Sequence, residues 1–281
     1  MVVYYIKFNQ TGKPNIGKHN NMYPLVYGHF IRDIIFPFIS FLETTDMKNS
    51  SYFIIKQTNH YTYDYIPNIF PSLALKIVDN AQKNNITDIT KNNYYINTRN
   101  NDFIEEYKFC MKAMYYLINY RRDLPLFNSI NINNRYKNVF IRRKKNINSK
   151  TSALRIWENE DEYISFLKIK YPDLYCIYIE ELPFDNQIEI FYFVENIYFG
   201  YGSECFNLFF CRNLKNVYEH TIDLKILSKN IRSCRELPGS DHPHGYIKES
   251  ITTNMNVKWH IIPVEITMYK SNTELSGKII F

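Results

Sequence analysis

The strongest constraint in this chain is an alternation of short apolar runs with helical patterning through residues 138–218. Asn138–Ile141 reads as a strand and Glu158–Ile169 as a helix; Leu174–Ile179 is a strand and Phe184–Val194 a helix. Ile197–Phe199 follows as a third strand, Ser203–Phe210 as a third helix and Asn216–Tyr218 as a fourth strand. Strands that alternate with helices of this length imply βαβ units, hence a parallel sheet with right-handed crossovers. Such sheets present their ligands beyond the carboxyl ends of the strands. The predicted class is therefore α/β, and functional residues are to be sought where those strands stop.

The first half is less regular. Residues 3–8 fit a strand, and Tyr27, Phe30, Ile31, Ile34, Ile35, Phe38 and Leu42 fall at helical spacing over 27–42. Ser51–Gln57 is β-like, Ser72–Gln82 has helical patterning, and Phe103–Tyr120 carries an apolar stripe typical of a helix. The Asn-rich stretches 83–102 and 128–138 read as loops, and the second is the expected boundary between domains 1–130 and 131–281. At 281 residues the chain can bury two cores of that size. The final 60 or so residues resist assignment.

Charge is concentrated rather than spread. Arg135, Lys137, Arg142, Arg143, Lys144, Lys145, Lys150 and Arg155 occur without one intervening acid, in a chain of net charge +6. Arg142 and Arg143 stand at the end of the predicted strand Asn138–Ile141, where a guanidinium can take two phosphate oxygens at once. A solvated loop or a general polyanion patch explains the same composition. The segment Asn196–Phe210 reads as strand, Gly-rich turn and helix: Gly200 and Gly202 permit close approach, and Ser203 suits an N-cap. Free amides at such a helix start accept phosphate, although an ordinary tight turn has the same composition. Glu219, at the end of the predicted strand, is placed to hold two ribose hydroxyls or is a plain surface acid.

Taken in order, these pieces resemble the donor half of glycosyltransferase family 61. That pattern is a strand ending in Ser-Arg-Arg, then an Arg followed by Asn-Glu-Asp-Glu opening a helix. A strand, a helix opened by Leu-Ser-Phe-x-x-Gln, a Gly-rich turn and a strand ending in Glu complete it. Arg143, Arg155, Asn159, Glu160, Glu162, Phe184, Gln187, Gly202, Asn207, Phe210 and Glu219 fall on its positions. The pattern departs at Tyr201, where the family has His, and at Glu204, where it has a second Gly. The segment Tyr27–Ile39 also resembles the family's acceptor-side helix, which carries a His and an Asp four residues apart before a Pro; here these are His29 and Asp33.

The resemblance implies a GT-B-like architecture of two Rossmann-like lobes with parallel sheets. It implies inverting transfer from a nucleotide-sugar, a UDP-sugar by preference, to a hydroxyl of a glycan or protein in glycan biosynthesis. Asp33 would be the base, with His29 as its partner or in its place. Arg143, Arg155, Gly202, Ser203 and Asn207 would hold the diphosphate, and Glu219 the ribose. No metal or other cofactor is expected. The competing readings are a non-catalytic protein on the same scaffold and a nucleic-acid binder using residues 135–155.

Other features weigh less. Cys234, Asp241, His242, His244 and His260 lack established zinc spacing and a second cysteine pair. Loop 238–246 is a more natural cover for a substrate. Trp157, Trp259 and the group Tyr61, Tyr63, Asp64 and Tyr65 can stack on a sugar, but in a chain with 25 Tyr such coincidences are common. Five cysteines without C-x-x-C spacing, no signal-like N-terminus and no apolar run of ~20 residues give the expectation of a soluble cytoplasmic protein. The Asn, Ile, Lys and Tyr bias is of the kind found with AT-rich genomes, such as large DNA viruses or protists.

Overall fold

The computed structural model describes residues 2–9, 31–56, 61–79, 93–97, 112, 135–143, 154–200, 202–222, 245–271 and 274–281. The chain divides into two compact units, Met1–Tyr120 and Arg121–Phe281. Both are α/β with sheets that are wholly or largely parallel.

In the first unit, β1 (Val2–Asn9), β2 (Ser50–Lys56), β3 (Ala74–Asp79) and β4 (Asn93–Asn97) form a parallel sheet of order β3-β2-β1-β4. Two of these strands correct the sequence reading. Ser72–Gln82 was expected to be helical, yet Leu73, Leu75 and Ile77 alternate as well as they recur, and pairing with β2 decides for a strand. Strand β4 sits inside the expected loop 83–102, where Asn composition conceals the run Tyr94-Tyr95-Ile96.

The expected helix 27–42 is also different. Residues 27–30 lie outside the described residues, Ile31–Ile35 is a π-helical turn, and α1 spans Phe36–Leu42. Pro37 has no N–H to give the carbonyl of Asp33, so a regular α-helix cannot run through this point. At the other end the Thr44 and Thr45 hydroxyls donate to the carbonyls of Phe41 and Leu42 at 2.7 and 3.0 Å, which closes the helix. Helix α1 buries Phe36, Phe38, Ile39 and Leu42, with Phe38 edge-on to Tyr52 and Phe70. Each such side chain contributes about 1.5–3 kcal/mol. The predicted helix Phe103–Tyr120 lies outside the described residues apart from Lys112, whose Nζ pairs with Glu43 at 2.7 Å.

The second unit carries β5 (Asn138–Arg142), β6 (Leu154–Trp157), β7 (Tyr175–Tyr178), β8 (Asn196–Gly200), β9 (Asn216–Ile222), β10 (Lys258–Ser271) and β11 (Glu274–Ile279). Their order is β6-β11-β10-β9-β8-β5-β7, and the five strands from β10 to β7 are mutually parallel. The expectation of a purely parallel sheet is corrected here, because β11 runs antiparallel to β10 and β6 pairs parallel to β11.

The helices α2 (Ile66–Ile69, in the first unit), α3 (Glu160–Lys170), α4 (Phe184–Phe193) and α5 (Gly245–Met255) accompany the strands. Helix α3 has Glu160, Asp161 and Glu162 in its first turn and Lys168 and Lys170 in its last, matching its dipole. Its buried residues Tyr163, Ile164 and Leu167 cover the face that also carries Phe140, Tyr198 and His220. Phe184 of α4 meets Phe210 edge-on. The side chains of Asn138, Asn196 and Asn216 lie in register and hydrogen-bond in sequence across β5, β8 and β9 at 2.8 and 2.7 Å. Asp173 accepts from Asn138 at one end, and His260 Nε2 lies 3.3 Å from Asn216 Oδ1 at the other. Each amide's oxygen accepts from the next, so His260 must be the donor in this chain.

Two stability measurements test this frame. Asn196→Ala strands an acceptor on Asn138 and a donor on Asn216, and urea unfolding should show a loss of about 2 kcal/mol. His220 is fully buried, stacked on Phe140, and burial pushes its imidazole down to about 3. The unfolded chain therefore binds a proton that the folded one refuses, so this stability is present above pH ~6.5 and falls toward pH 3. Unfolding at pH 7 and 5 should show a loss of up to about 1.4 kcal/mol per pH unit that His220→Phe removes.

Candidate active site

The chain leaves β5 for β6 and comes back through α3, which packs on the face that carries Phe140, while β8 leads into the helical turn Ser203–Phe210. Neighbouring strands β5 and β8 are flanked by β7 on one side and β9 on the other, and their carboxyl ends mark the candidate switch-point crevice of a parallel sheet. Arg142 and Arg143 stand at the carboxyl end of β5, and Gly202 follows the end of β8.

The two arginines part company. Arg142 points to α3, where Nε donates to Glu160 at 2.7 Å and Nη2 to Asp161 at 2.7 Å, with its guanidinium 5.4 Å from the Tyr178 ring centroid. Burial opposes its charge, but Glu160, Tyr178 and Asp161 together hold its pKa above the ordinary value. Arg143 turns to the other face and pairs through Nη2 with Glu204 Oε2. Side-chain exposure is 19% for Arg143 and 14% for Glu204, so solvent screens this pair poorly. The Nε of Arg143 is buried and has no hydrogen-bond partner among the described residues.

Gly202 lies directly beneath this pair. A Cβ there would overlap Arg143 Nη2 and come within 2.5 Å of Glu204 Oε2. Gly200 is as constrained, since its Cβ would stand 2.8 Å from the Trp157 indole nitrogen. Ser203–Phe210 is helical over the expected span, but as a 3-10 helix, and its cap position is Gly202 rather than Ser203. Its first bond runs from the Cys205 amide to the Gly202 carbonyl, which leaves the amides of Ser203 and Glu204 ahead of it. Residues Cys205 to Phe210 are all buried, so the helix is fixed on every side. Asn207 on this helix is 3% exposed, and its Oδ1 has no partner among the described residues.

Glu219 was expected at a strand terminus, but β9 continues to Ile222. The strand was read too short because Glu219, His220 and Thr221 are polar, yet all three are buried. Glu219 lies in register with Phe199, one residue before the end of β8, and accepts a 3.0 Å bond from Trp259 Nε1. Trp259, considered above for stacking on a ligand, instead holds this carboxylate and packs edge-on against Phe199. Arg155 lies on β6, two residues before Trp157 in a strand that sequence reading missed; its side chain is outside the described residues, as is that of Ser203.

Several residues on the family pattern hold the fold rather than the crevice. The Asn159 side chain bonds both the carbonyl and the amide of Ile279, at 2.8 and 2.7 Å, which ties β11 to the start of α3. Gln187 Nε2 donates to the Leu182 carbonyl at 2.9 Å. Asp33 is in the π-helical turn of the first unit, where its side chain is outside the described residues, and His29 lies outside them altogether. Asp64 pairs with Lys56 at 2.7 Å, and Tyr63 is buried.

Among the described residues no group of His, Cys, Asp or Glu is arranged to hold a metal ion; Cys234, Asp241, His242 and His244 lie outside them. His260 belongs to the asparagine chain. Cys176, Cys205 and Cys211 are free thiols, and burial raises the pKa of each. Among the described residues no helix is long and apolar enough to cross a membrane.

The family model described as Glycosyltransferase 61 matches residues 27–218, about two thirds of the chain. That span contains Asp33, Arg143, Arg155 and the Gly202 turn, and ends one residue before Glu219. No curated protein matches the chain.

The crevice makes one steric demand that is measurable without a substrate. Gly202→Ala places a methyl group against the Arg143–Glu204 pair. It should cost about 1–3 kcal/mol by urea unfolding, and Gly202→Ala with Glu204→Ala should recover part of that loss.

Proposed function

Because the chain belongs to the glycosyltransferase 61 family, we propose that it transfers a sugar with inversion from a nucleotide-sugar, a UDP-sugar, to a hydroxyl of a glycan or protein. The observation that carries the donor side is the meeting of Arg143 with the Gly202 turn at the β5/β8 switch point. A diphosphate there would meet a guanidinium and the leading amides of a helix, with Gly202 admitting close approach. Negative charge grows on that diphosphate as the glycosidic bond to the leaving group breaks, so the same contacts strengthen toward the transition state.

In this proposal Arg143, Gly202, Ser203 and Asn207 bind the diphosphate, Arg155 assists from β6, and Glu219 receives the ribose. Residues 131–281 form the donor lobe and 1–130 the acceptor lobe of a two-lobed GT-B enzyme. Asp33 takes the acceptor's proton, with His29 as its partner, and the reaction uses no metal. Support for Asp33 is positional: it sits in a π-helical turn, a distortion common at functional sites. The chain would work as a cytoplasmic enzyme.

One observation favours the second reading, a binding protein without activity: Glu204 occupies the guanidinium that the diphosphate needs. The nucleic-acid reading draws less support. Of the basic segment, Arg142 and Lys137 already pair with the carboxylates of Glu160, Asp161 and Glu195.

A thermal-shift panel of UDP-, GDP- and dTDP-sugars tests the proposal. UDP-sugars should stabilise the protein saturably, and Arg143→Ala should abolish the shift. Asp33→Ala should keep the shift yet lower turnover by about 10²–10⁴-fold, the usual contribution of a general base. No shift with any nucleotide-sugar would exclude the donor site.

A further inference from the structure

We propose that Glu204 is a carboxylate latch, which occupies the anion-binding side of Arg143 in the resting protein and must swing away before a diphosphate is seated. This rests on the donor-site reading above and adds to it the residue that sets the affinity and selectivity of that site.

Geometry supports a latch over a permanent brace. Glu204 engages Arg143 through one carboxylate oxygen on one terminal nitrogen, and Arg143 Nε is left without a hydrogen-bond partner among the described residues. A guanidinium can give two parallel bonds, so a phosphate that takes both is a better partner than the carboxylate it displaces. The pair lies over Gly202, where neither side chain leaves room even for a methyl group. On the Gly202 side of Arg143, a phosphate would therefore have to take the place of Glu204. Like charges in a poorly hydrated crevice repel strongly, which forces the same exchange.

The backbone permits that motion. Glu204 is the second residue of the Ser203–Phe210 helix, ahead of the stretch from Cys205 onward that is buried on all sides. Its side chain can change rotamer without moving the helix, which remains fixed by Phe206, Leu208, Phe209 and Phe210. Arg143 paired with Glu204 has no net charge, so a simple anion gains little by approaching. A ligand held additionally by its nucleoside can exchange with the carboxylate, whereas free phosphate or pyrophosphate does so less readily. The latch therefore favours a complete nucleoside diphosphate over its inorganic fragments.

Calorimetric titration of the full chain with UDP and with inorganic pyrophosphate, for wild type, Glu204→Gln, Glu204→Ala and Arg143→Ala, tests this. Glu204→Gln and Glu204→Ala should each bind UDP about tenfold more tightly than wild type, or about 1.4 kcal/mol. Pyrophosphate should gain more than UDP does, narrowing the preference between them, and Arg143→Ala should bind neither. Melting curves guard against a folding defect: pyrophosphate should raise the Tm of Glu204→Gln by more than that of wild type. If both Glu204 variants bind UDP no better than wild type while Arg143→Ala loses binding, the latch is overturned and the donor site stands. If neither wild type nor any variant binds either ligand, both fall together.

Discussion

The second unit depends on one topological constraint: strand order reverses at β5 and β8. The chain passes from β5 through β6 and α3 to β7 on one flank, then through α4 to β8 on the other. What the sequence adds is chemistry at the strand ends, with Arg143 from β5 and the Gly202 turn from β8.

The adjacent arginines show how alternation in a strand separates tasks. Successive side chains leave opposite faces, so Arg142 is drawn to the acidic start of α3 while Arg143 faces the turn after β8. Arg142 braces the start of α3, and Arg143 is matched to Glu204. Registration between these strands comes from elsewhere, from the amide chain of Asn138, Asn196 and Asn216 near their amino ends. A slip of one residue would break that chain and exchange the roles of the two arginines.

Membership of the glycosyltransferase 61 family gives the protein a class of reaction, with a glycosyl donor and an acceptor. The pairing of Arg143 with Glu204 decides the charge at its turn. A glycine at position 204 would leave Arg143 available; a glutamate closes a neutral pair across the same space. At this turn the charge of Arg143 is balanced by that single carboxylate.

Much of this was legible in the sequence because period and position carry it. The α/β class, the spans of β5, α3, α4 and β8, and the placing of Arg143 and Gly202 at strand ends all follow from local patterning. Tertiary structure decided the rest. Ser72–Gln82 is a strand because β2 offers it a partner, and β9 runs through Glu219, His220 and Thr221 because burial there is shared with Trp259, Phe140 and Tyr163. Strands β10 and β11 hid behind Pro263 and mixed composition until pairing across the sheet revealed them. The sequence alone could name Glu204 as a departure, but not say where its charge goes. That required bringing residues 143 and 204 together from 61 positions apart, and an ion pair is set by distance in space, which no local pattern encodes.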